Sequence, residues 1–309
     1  MNQTEATRFD VVALGGAAWD LLGIYREYPQ PGEKTELLNV EEQGGGQAAT
    51  AAVAVARLGG RAAILGTTGS DDYARKIVES FASEGVDTRG LLRIEGTRSH
   101  IAFCMIQEES GDRAIFFDRG NKRKLEPEDL DREMITGAGC LLFDTHHWKA
   151  AVTAATWARE AGVPVLTDLE RPTANSEDLL RLGTHHVMPE HYLLECTGES
   201  DPEAAARLMR ERYAPEVLVV TRGARGAVAY AGCERLEQPA FPVDPVIDTT
   251  GAGDVFHGAF GYGLVLGYDL ATNLEFAALV AALKCRQLGG RAGIPTREEL
   301  AGLWRLPLP

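Results

Sequence analysis

Short apolar strands alternate with amphipathic helices along most of this chain, and this alternation restricts its fold more than any other feature. In the middle of the chain a strand-like run at 140–144 is followed by a helix-like segment at 150–161 and another strand-like run at 163–168. A strand, a helix and a strand in succession form parallel pairs, so helices must cover both faces of the sheet. The sequence therefore predicts an α/β fold with a mostly parallel central sheet, whose ligands bind at the carboxyl ends of the strands.

Two stretches depart from this alternation. Further strands are predicted at 9–14, 62–65, 186–188 and 217–221, and further helices at 47–58, 71–84, 202–213, 254–266 and 271–287. Segments 226–230 and 241–246 have the pattern of a hairpin. In contrast, 23–43 is broken by Pro and Gly, and 98–121 alternates around the turn Glu109-Ser110-Gly111-Asp112. We interpret these two stretches as excursions that form a small β lid within a single domain of all 309 residues.

Charge and cysteine content narrow the class of protein. The formal net charge of −14 makes nucleic acid and anionic membranes poor partners, so an anionic substrate needs a local cluster of donors. The 5 cysteines are scattered without a C-x-x-C pair, which is typical of reduced thiols. Residues 1–10 lack the apolar core of a signal peptide, and no stretch approaches the length of a membrane span. We therefore expect a cytoplasmic protein.

The segment 248–254 reads Asp-Thr-Thr-Gly-Ala-Gly-Asp and leads directly into a helix-like run. Its small residues Gly251, Ala252 and Gly253 let backbone N–H groups converge at the positive end of that helix. Such a concavity binds an anion and stabilises the charge that develops on a transferred phosphoryl group. Asp254 stands in the first helical turn, where its carboxylate can take the proton of an attacking hydroxyl. A plain N-cap after a glycine-rich loop is the structural alternative.

A second glycine-rich motif, Gly44-Gly45-Gly46-Gln47-Ala48-Ala49, opens an alanine-rich helix that ends before Gly59. Together with segment 248–254, it resembles the two signatures of the PfkB, or ribokinase-like, carbohydrate kinases, and the resemblance covers nearly the whole chain. It implies a three-layer sandwich with a small β lid and ATP-dependent phosphorylation of a sugar. No Walker-type P-loop pattern occurs, which agrees with this family.

The resemblance also implies the roles of individual residues. The sugar would contact Asp20, Gly45, Gly46 and Thr50, and the nucleotide would contact Thr221, Gly223, Gly226 and Lys284. Backbone carbonyls of Asp248, Thr250 and Gly289 would bind K⁺. For Mg²⁺, the family's P-N-x-x-E segment is altered here, with Glu190 in place of the Asn and Leu193 in place of the Glu. Asp168 and Glu170, at the end of another strand, are therefore further acidic candidates.

Within the family, the likeness is to 6-deoxy-6-sulfofructose kinases, through Thr50 and the segments 256–258 and 289–295. Lys34 stands where those enzymes place a sulfonate-binding lysine, whereas His146 replaces an arginine. We expect a ketohexose-like sugar, and we expect Lys34, Arg98 and His146 to converge on an anionic tail if the sugar carries one.

Other functions remain open at this point. A binding protein that has lost catalysis is favoured by the altered segment 188–193 and disfavoured by the intact Asp254. A Rossmann dehydrogenase is disfavoured because no G-x-G-x-x-G follows the first strand. Lids of the PfkB family often pair between subunits, so the resemblance also implies a homodimer.

Overall fold

The strand Val11–Leu14 buries all of its side chains and lies inside a large sheet. The computed structural model describes residues 9–109 and 113–308. Val11 and Ala13 pack into one core cluster, whereas Val12 and Leu14 pack into another on the opposite face. Because side chains alternate along a strand, a fully apolar strand needs a helical layer on each face of its sheet. The fold has these three layers, which confirms the predicted α/β architecture.

The described residues form two sheets. The strands are, in chain order, β1 (Val11–Leu14), β2 (Ala18–Tyr25), β3 (Asn39–Gly45), β4 (Ala62–Thr68), β5 (Asp87–Arg93), β6 (His100–Gln107), β7 (Arg113–Asp118), β8 (Cys140–Phe143), β9 (Val165–Asp168), β10 (His185–Pro189), β11 (Val217–Thr221), β12 (Ala227–Ala231) and β13 (Glu234–Gln238). The large sheet has the order β13-β12-β11-β10-β9-β8-β1-β4-β5. Its strands from β11 to β5 are parallel, and the hairpin of β12 and β13 extends one edge with antiparallel pairing.

The helices divide between the two faces of the large sheet. They are α1 (Gln47–Arg57), α2 (Asp72–Ser83), α3 (Arg132–Thr136), α4 (Trp148–Glu160), α5 (Ser176–Leu182), α6 (Glu190–Thr197), α7 (Pro202–Tyr213), α8 (Ala252–Val265), α9 (Leu270–Lys284) and α10 (Arg297–Leu300). One core cluster contains α1, α2, α8 and α9, and the other contains α3 to α7. None of the helices in the described part of the chain is long and apolar enough to cross a membrane.

The second sheet has the order β3-β2-β6-β7 and contains the stretches that interrupt the alternation. β2 pairs with β6 in parallel and with β3 antiparallel, and β7 pairs antiparallel with β6. The predicted turn Glu109-Ser110-Gly111-Asp112 connects β6 to β7, and its last three residues lie outside the described residues. β2 begins at Ala18, before the predicted excursion, because Trp19 and Leu22 are apolar and buried.

The structure corrects one predicted strand and adds elements that the sequence pattern did not reveal. Segment 241–246 is not a strand; β12 pairs instead with β13 across the turn at Gly232 and Cys233. The left-handed φ of +52° at Gly232 suits this tight turn. Pro242 and Pro245 remove two backbone donors from the segment that was predicted to pair. β5, α5 and α6 were not predicted.

Candidate active site

A cavity of about 1510 Å³ lies between the second sheet and the carboxyl ends of the parallel strands. The second sheet contributes one face of β2, β6 and β7, and the large sheet contributes the loops after β8 and β9. Segment 246–251 and the start of α8 close the floor. The cavity is therefore where a doubly covered parallel sheet is expected to bind its ligand.

The start of α8 presents an anion-binding concavity to this cavity. Gly251 has a φ of +74°, and a Cβ at this position would lie 2.8 Å from the Cα of Gly290. The first N–H groups of a helix have no partner within the helix, and here Gly251, Gly253 and Asp254 all line the cavity. The predicted anion hole consists of Gly251, Ala252, Gly253 and Asp254. Three of these residues line the same cavity, and Ala252 is the first residue of α8.

Asp254 lies in the first turn of α8 and lines the cavity. Burial raises the pKa of its carboxyl well above the usual value, and the negative charges of Asp168 and Glu170 raise it further. A carboxylate with a raised pKa is a stronger base when ionised, because its charged form is poorly solvated. Asp254 is thus chemically suited to accept a proton at the anion hole.

His257 supports this turn from below. One ring nitrogen, Nδ1, lies 2.8 Å from the carbonyl oxygen of Gly253, and the other, Nε2, lies 2.9 Å from that of Val187. Both ring nitrogens thus lie within hydrogen-bond distance of a backbone carbonyl, and these contacts hold the ring against the first turn of α8. The carboxylate of Asp168 lies 3.5 Å from Nε2. Sequence reasoning did not assign His257 to the site, and its signal was its place one helical turn after Asp254.

Asp20 lies on the opposite wall, and the glycine-rich motif makes room for it. A Cβ on Gly45 would lie 2.1 Å from an Asp20 carboxylate oxygen, and one on Gly44 would lie 2.1 Å from Nη1 of Arg291. Arg291 is buried and donates from Nη2 to the Gly45 carbonyl at 3.1 Å. Burial raises the pKa of Asp20 to about 6, and the charge of Arg291 limits that rise. The sequence did not identify Arg291 as a functional residue.

Gly46 lines the cavity, whereas Gly45 and Thr50 lie behind its wall. Gly46 has a φ of +96°, and a Cβ there would lie 2.3 Å from the Gly16 carbonyl oxygen. Thr50 is fully buried in α1, and its backbone N–H donates to the Gly46 carbonyl at 2.8 Å. The unpredicted Gln47 also lines the cavity.

His146 lines the cavity, but the other two predicted cations do not. Its Nδ1 lies 3.1 Å from the buried Asp144 carboxylate, whose charge raises the pKa of His146. Lys34 is exposed in the loop between β2 and β3, and Arg98 pairs with Asp118 at 3.0 Å. The predicted convergence of these three residues is therefore corrected. The basic residues that line the cavity beside His146 are His100, Arg113, Arg119 and Arg171.

The residues predicted for the nucleotide lie near the end of β11, apart from Lys284. Thr221 is the last residue of β11, and Gly223 and Gly226 take left-handed φ values of +58° and +83° in the turn that follows. Lys284, in contrast, is fully buried, and its Nζ donates to the backbone carbonyl of Asp248 at 2.7 Å. Its assignment to the nucleotide is therefore corrected, because it has no access to a ligand.

The same contact changes the predicted potassium site. Asp248, Thr250 and Gly289 do lie together, since the Asp248 carboxylate accepts from the Thr250 and Gly289 N–H groups at 2.8 and 2.7 Å. These bonds, together with the Lys284 charge, outweigh the effect of burial and hold the pKa of Asp248 below its usual value. However, the Asp248 carbonyl, one of the three that would bind K⁺, already accepts from the Lys284 ammonium, whose positive charge disfavours a further cation there.

The two predicted magnesium ligands face other partners. Asp168 is buried beside His257, and Gln47 donates to it at 3.4 Å. Glu190 pairs with Arg225 at 2.6 Å. Among the described residues no cluster of three acidic, histidine or cysteine side chains could hold a metal by itself. Glu170, the other acidic candidate from the end of β9, lines the cavity.

Comparison with known proteins is consistent with this geometry. The family model for "pfkB family carbohydrate kinase" matches residues 8–297. The ribokinase of Bacillus subtilis (strain 168) is 28% identical, with 95% of this chain and 99% of the relative covered. The 5-dehydro-2-deoxygluconokinase of Shouchella clausii (strain KSM-K16) is 28% identical, with 97% and 96% covered. The structure of Arabidopsis thaliana ribokinase, complexed with ribose and ATP, is 25% identical, with a TM-score of 0.86 and coverage of 97% and 100%. The predicted ribokinase-like fold is confirmed.

Proposed function

The chain belongs to the pfkB family of carbohydrate kinases and is an ATP-dependent sugar kinase, and from this premise we propose that Asp254 is the general base that activates a hydroxyl of a ketohexose-like sugar. The observation that carries the proposal is that Asp254, the anion hole and Asp20 line one cavity. A sugar held at Asp20 presents its hydroxyl to Asp254, and the γ-phosphoryl group lies at the N-terminus of α8.

The chemistry assigned to this chain is proton removal, positioning and charge stabilisation. The carboxylate of Asp254 accepts the hydroxyl proton as the sugar oxygen attacks the γ-phosphorus, and ADP leaves. Backbone N–H groups around Gly251 and Gly253 stabilise the charge on the transferred group. The second sheet acts as a lid that excludes water from the reacting groups.

Mg²⁺ and ATP are the cofactors of this proposal. Mg²⁺ is normally held by substrate phosphates, water and one or two carboxylates, and Glu170 supplies one carboxylate at the cavity wall. When bound, the ion would neutralise phosphate charge. The proposed reaction does not use potassium, because the ammonium of Lys284 already binds the Asp248 carbonyl.

A narrower version of the proposal is that the sugar carries an anionic group, in line with the sequence likeness to sulfofructose kinases. Support comes from Arg119, which lines the cavity with its guanidinium 4.9 Å from the Phe117 ring, and from His146, whose pKa is raised by the charge of Asp144. Burial and the charges of His146 and Lys122 lower the pKa of His100 to about 4, so it is a neutral donor or acceptor there.

We expect Arg119→Met to raise the KM of an anionic ketohexose and leave that of a neutral one unchanged. Lys34→Ala, outside the cavity, is the matched control.

The experiment that tests the proposed function measures ADP release over a panel of ketohexoses, sulfosugars, sugar phosphates, pentoses and nucleosides. Asp254→Asn keeps the side-chain volume and the N-terminal polarity of α8, so it should fold normally. We expect it to lose about 10²–10⁴-fold in kcat, the range for removal of a general base. Sugar binding by calorimetry without ADP release from the unaltered protein would instead identify a binding protein.

A further inference from the structure

Lys284 is a buried lysine that the proposed chemistry does not use. It ends α9 and is 0% exposed, although lysine is almost never fully buried unless it is paired. Its Nζ donates to the backbone carbonyl of Asp248 at 2.7 Å. Asp248 is the first residue of the segment that forms the anion hole, so the ammonium lies directly behind that segment.

Three backbone segments meet around this ammonium. The Asp248 carboxylate accepts from Thr250 through its backbone N–H at 2.8 Å and its Oγ1 at 2.7 Å, and from the Gly289 N–H at 2.7 Å. The backbone N–H groups of Ile247 and Asp248 donate to the carbonyl of Cys285, next to Lys284. The end of α9, the loop that contains Gly289 and the approach to α8 are therefore linked through Asp248, and the Lys284 ammonium binds the carbonyl of that residue.

We propose that the Lys284 ammonium is a built-in monovalent cation, which sets the shape of the anion-hole segment and makes this kinase independent of potassium. An ammonium and a potassium ion both carry a single charge and both bind carbonyl oxygens. The lysine is tethered to α9, so it binds the Asp248 carbonyl without the entropy cost of capturing a free ion. A second cation beside it would be repelled in a poorly solvated region. Lys284 is thus a positioning residue that acts through Asp248.

The inference rests on the proposed function for its significance, but its test does not need the sugar. The probe is the affinity for Mg²⁺ with the non-hydrolysable ATP analogue AMP-PNP, measured by calorimetry together with the melting temperature. Both are measured in potassium chloride and in tetramethylammonium chloride at equal ionic strength. The unaltered protein should give the same affinity and melting temperature in both salts. Stimulation of either by potassium would overturn the proposal, whatever the fate of the kinase assignment.

Substitutions separate the charge from the hydrogen bond. Lys284→Met should weaken AMP-PNP binding about tenfold or more in tetramethylammonium, as expected for loss of a charge-assisted bond, and potassium should restore it. Lys284→Gln keeps a donor without the charge, and potassium should also raise its affinity for AMP-PNP. This variant replaces Lys284→Met in the test if the Met variant does not fold. Arg286→Met removes an exposed cation from the same segment, and its AMP-PNP affinity and melting temperature should be the same in both salts. If neither Lys284 variant gains a potassium response, the ammonium does not replace an ion and the proposal fails.

Discussion

At the scale of single residues, buried charges decide how the site behaves. Asp20 and Arg291 pack against successive glycines, and neither has room to move away because Gly44 and Gly45 leave only the space that these side chains occupy. The two side chains are 8% and 4% exposed. A carboxylate in such surroundings stays ionised at neutral pH only when a positive charge is near.

From the Asp20–Arg291 pair we predict how the affinity for the sugar depends on pH. The pKa of Asp20 is raised to about 6, so its carboxylate loses charge as the pH falls through 6. Because the charged form is the better acceptor for sugar hydroxyls, KM for the sugar should rise about tenfold per pH unit below that value. Arg291→Met removes the compensating charge, so the rise in KM should begin at higher pH. The measurement is KM from about pH 5 to 9.

Asp20→Asn is the control for this prediction. It cannot titrate, so its KM should be high and flat across the same pH range. If Asp20→Asn retains the pH dependence, another group is responsible and the role of the Asp20–Arg291 pair is wrong.

His257 gives a second prediction at this scale. His257→Phe removes the ring nitrogens that lie beside the buried carbonyls of Gly253 and Val187, and loss of a partner by a buried acceptor costs about 1–3 kcal/mol. We expect the free energy of unfolding to fall by about 2–4 kcal/mol and kcat to fall as the turn before Asp254 relaxes. His257→Gln restores one donor and should recover part of both losses. Equal stability of the Phe variant and the unaltered protein, by urea denaturation, would contradict this role.

At the scale of elements, the packing of α1 against α8 brings the glycine-rich motif at 44–49 close to segment 248–254. α1 follows the glycine-rich motif, α8 follows the anion hole, and they pack closely because Gly258 of α8 touches Ala51 of α1. A Cβ at Gly258 would lie 2.4 Å from the Ala51 carbonyl oxygen, which is backbone and cannot rotate away. The distance between the two binding motifs is therefore set at this contact.

Substitution of two glycines on the same helix tests this contact. Gly258→Ala should lower the free energy of unfolding by about 1–3 kcal/mol, because overpacking outweighs the gain of about 1 kcal/mol in helix propensity. Gly261→Ala has the same propensity gain, but its Cβ would meet the mobile Cδ2 of Leu166 at 3.3 Å. It should change stability little. Similar losses for both variants in urea denaturation would show that the Gly258 contact is not special.

At the scale of the whole molecule, the second sheet has one face on the cavity and one in solvent. Ala102 and Cys104 line the cavity, whereas Phe103 and its cross-strand partner Phe116 are 43% and 52% exposed on the other face. Exposed aromatic pairs of this kind mark protein contacts. They support the homodimer that the family resemblance implies, with the second sheets of two subunits facing each other.

The corresponding prediction concerns assembly. Phe103→Lys places a charge on this face and should convert the dimer to a monomer, as measured by light scattering over a range of concentrations. Val78→Lys changes an apolar residue of α2 that is also exposed and should leave the dimer intact. An unaltered protein that is monomeric at high concentration would refute the lid-mediated dimer.

Local sequence was enough to predict the fold class and the reacting end of the site. Gly251, Ala252, Gly253 and Asp254 are contiguous, and small residues before a helix favour an anion site wherever that helix lies. Asp20 came from the family likeness, while the residues around it could not be identified, because Arg291 reaches it from the far end of the chain. Glu190 was a magnesium candidate by its place in the altered family segment and Asp168 by residue type, and neither criterion reveals that Arg225 and His257 already pair with them.

The sequence by itself determined the alternation of strands and helices, the excursions that build the second sheet, and the run of small residues that places Asp254 in the first turn of α8. These depend on periodicity and on neighbours along the chain. Only the tertiary structure decided which basic residues line the cavity: Arg119 and His146 do, Lys34 and Arg98 do not, and Lys284 is buried. The physical reason is that the direction and burial of a long charged side chain depend on strand register and on segments distant in sequence, which composition and spacing do not encode.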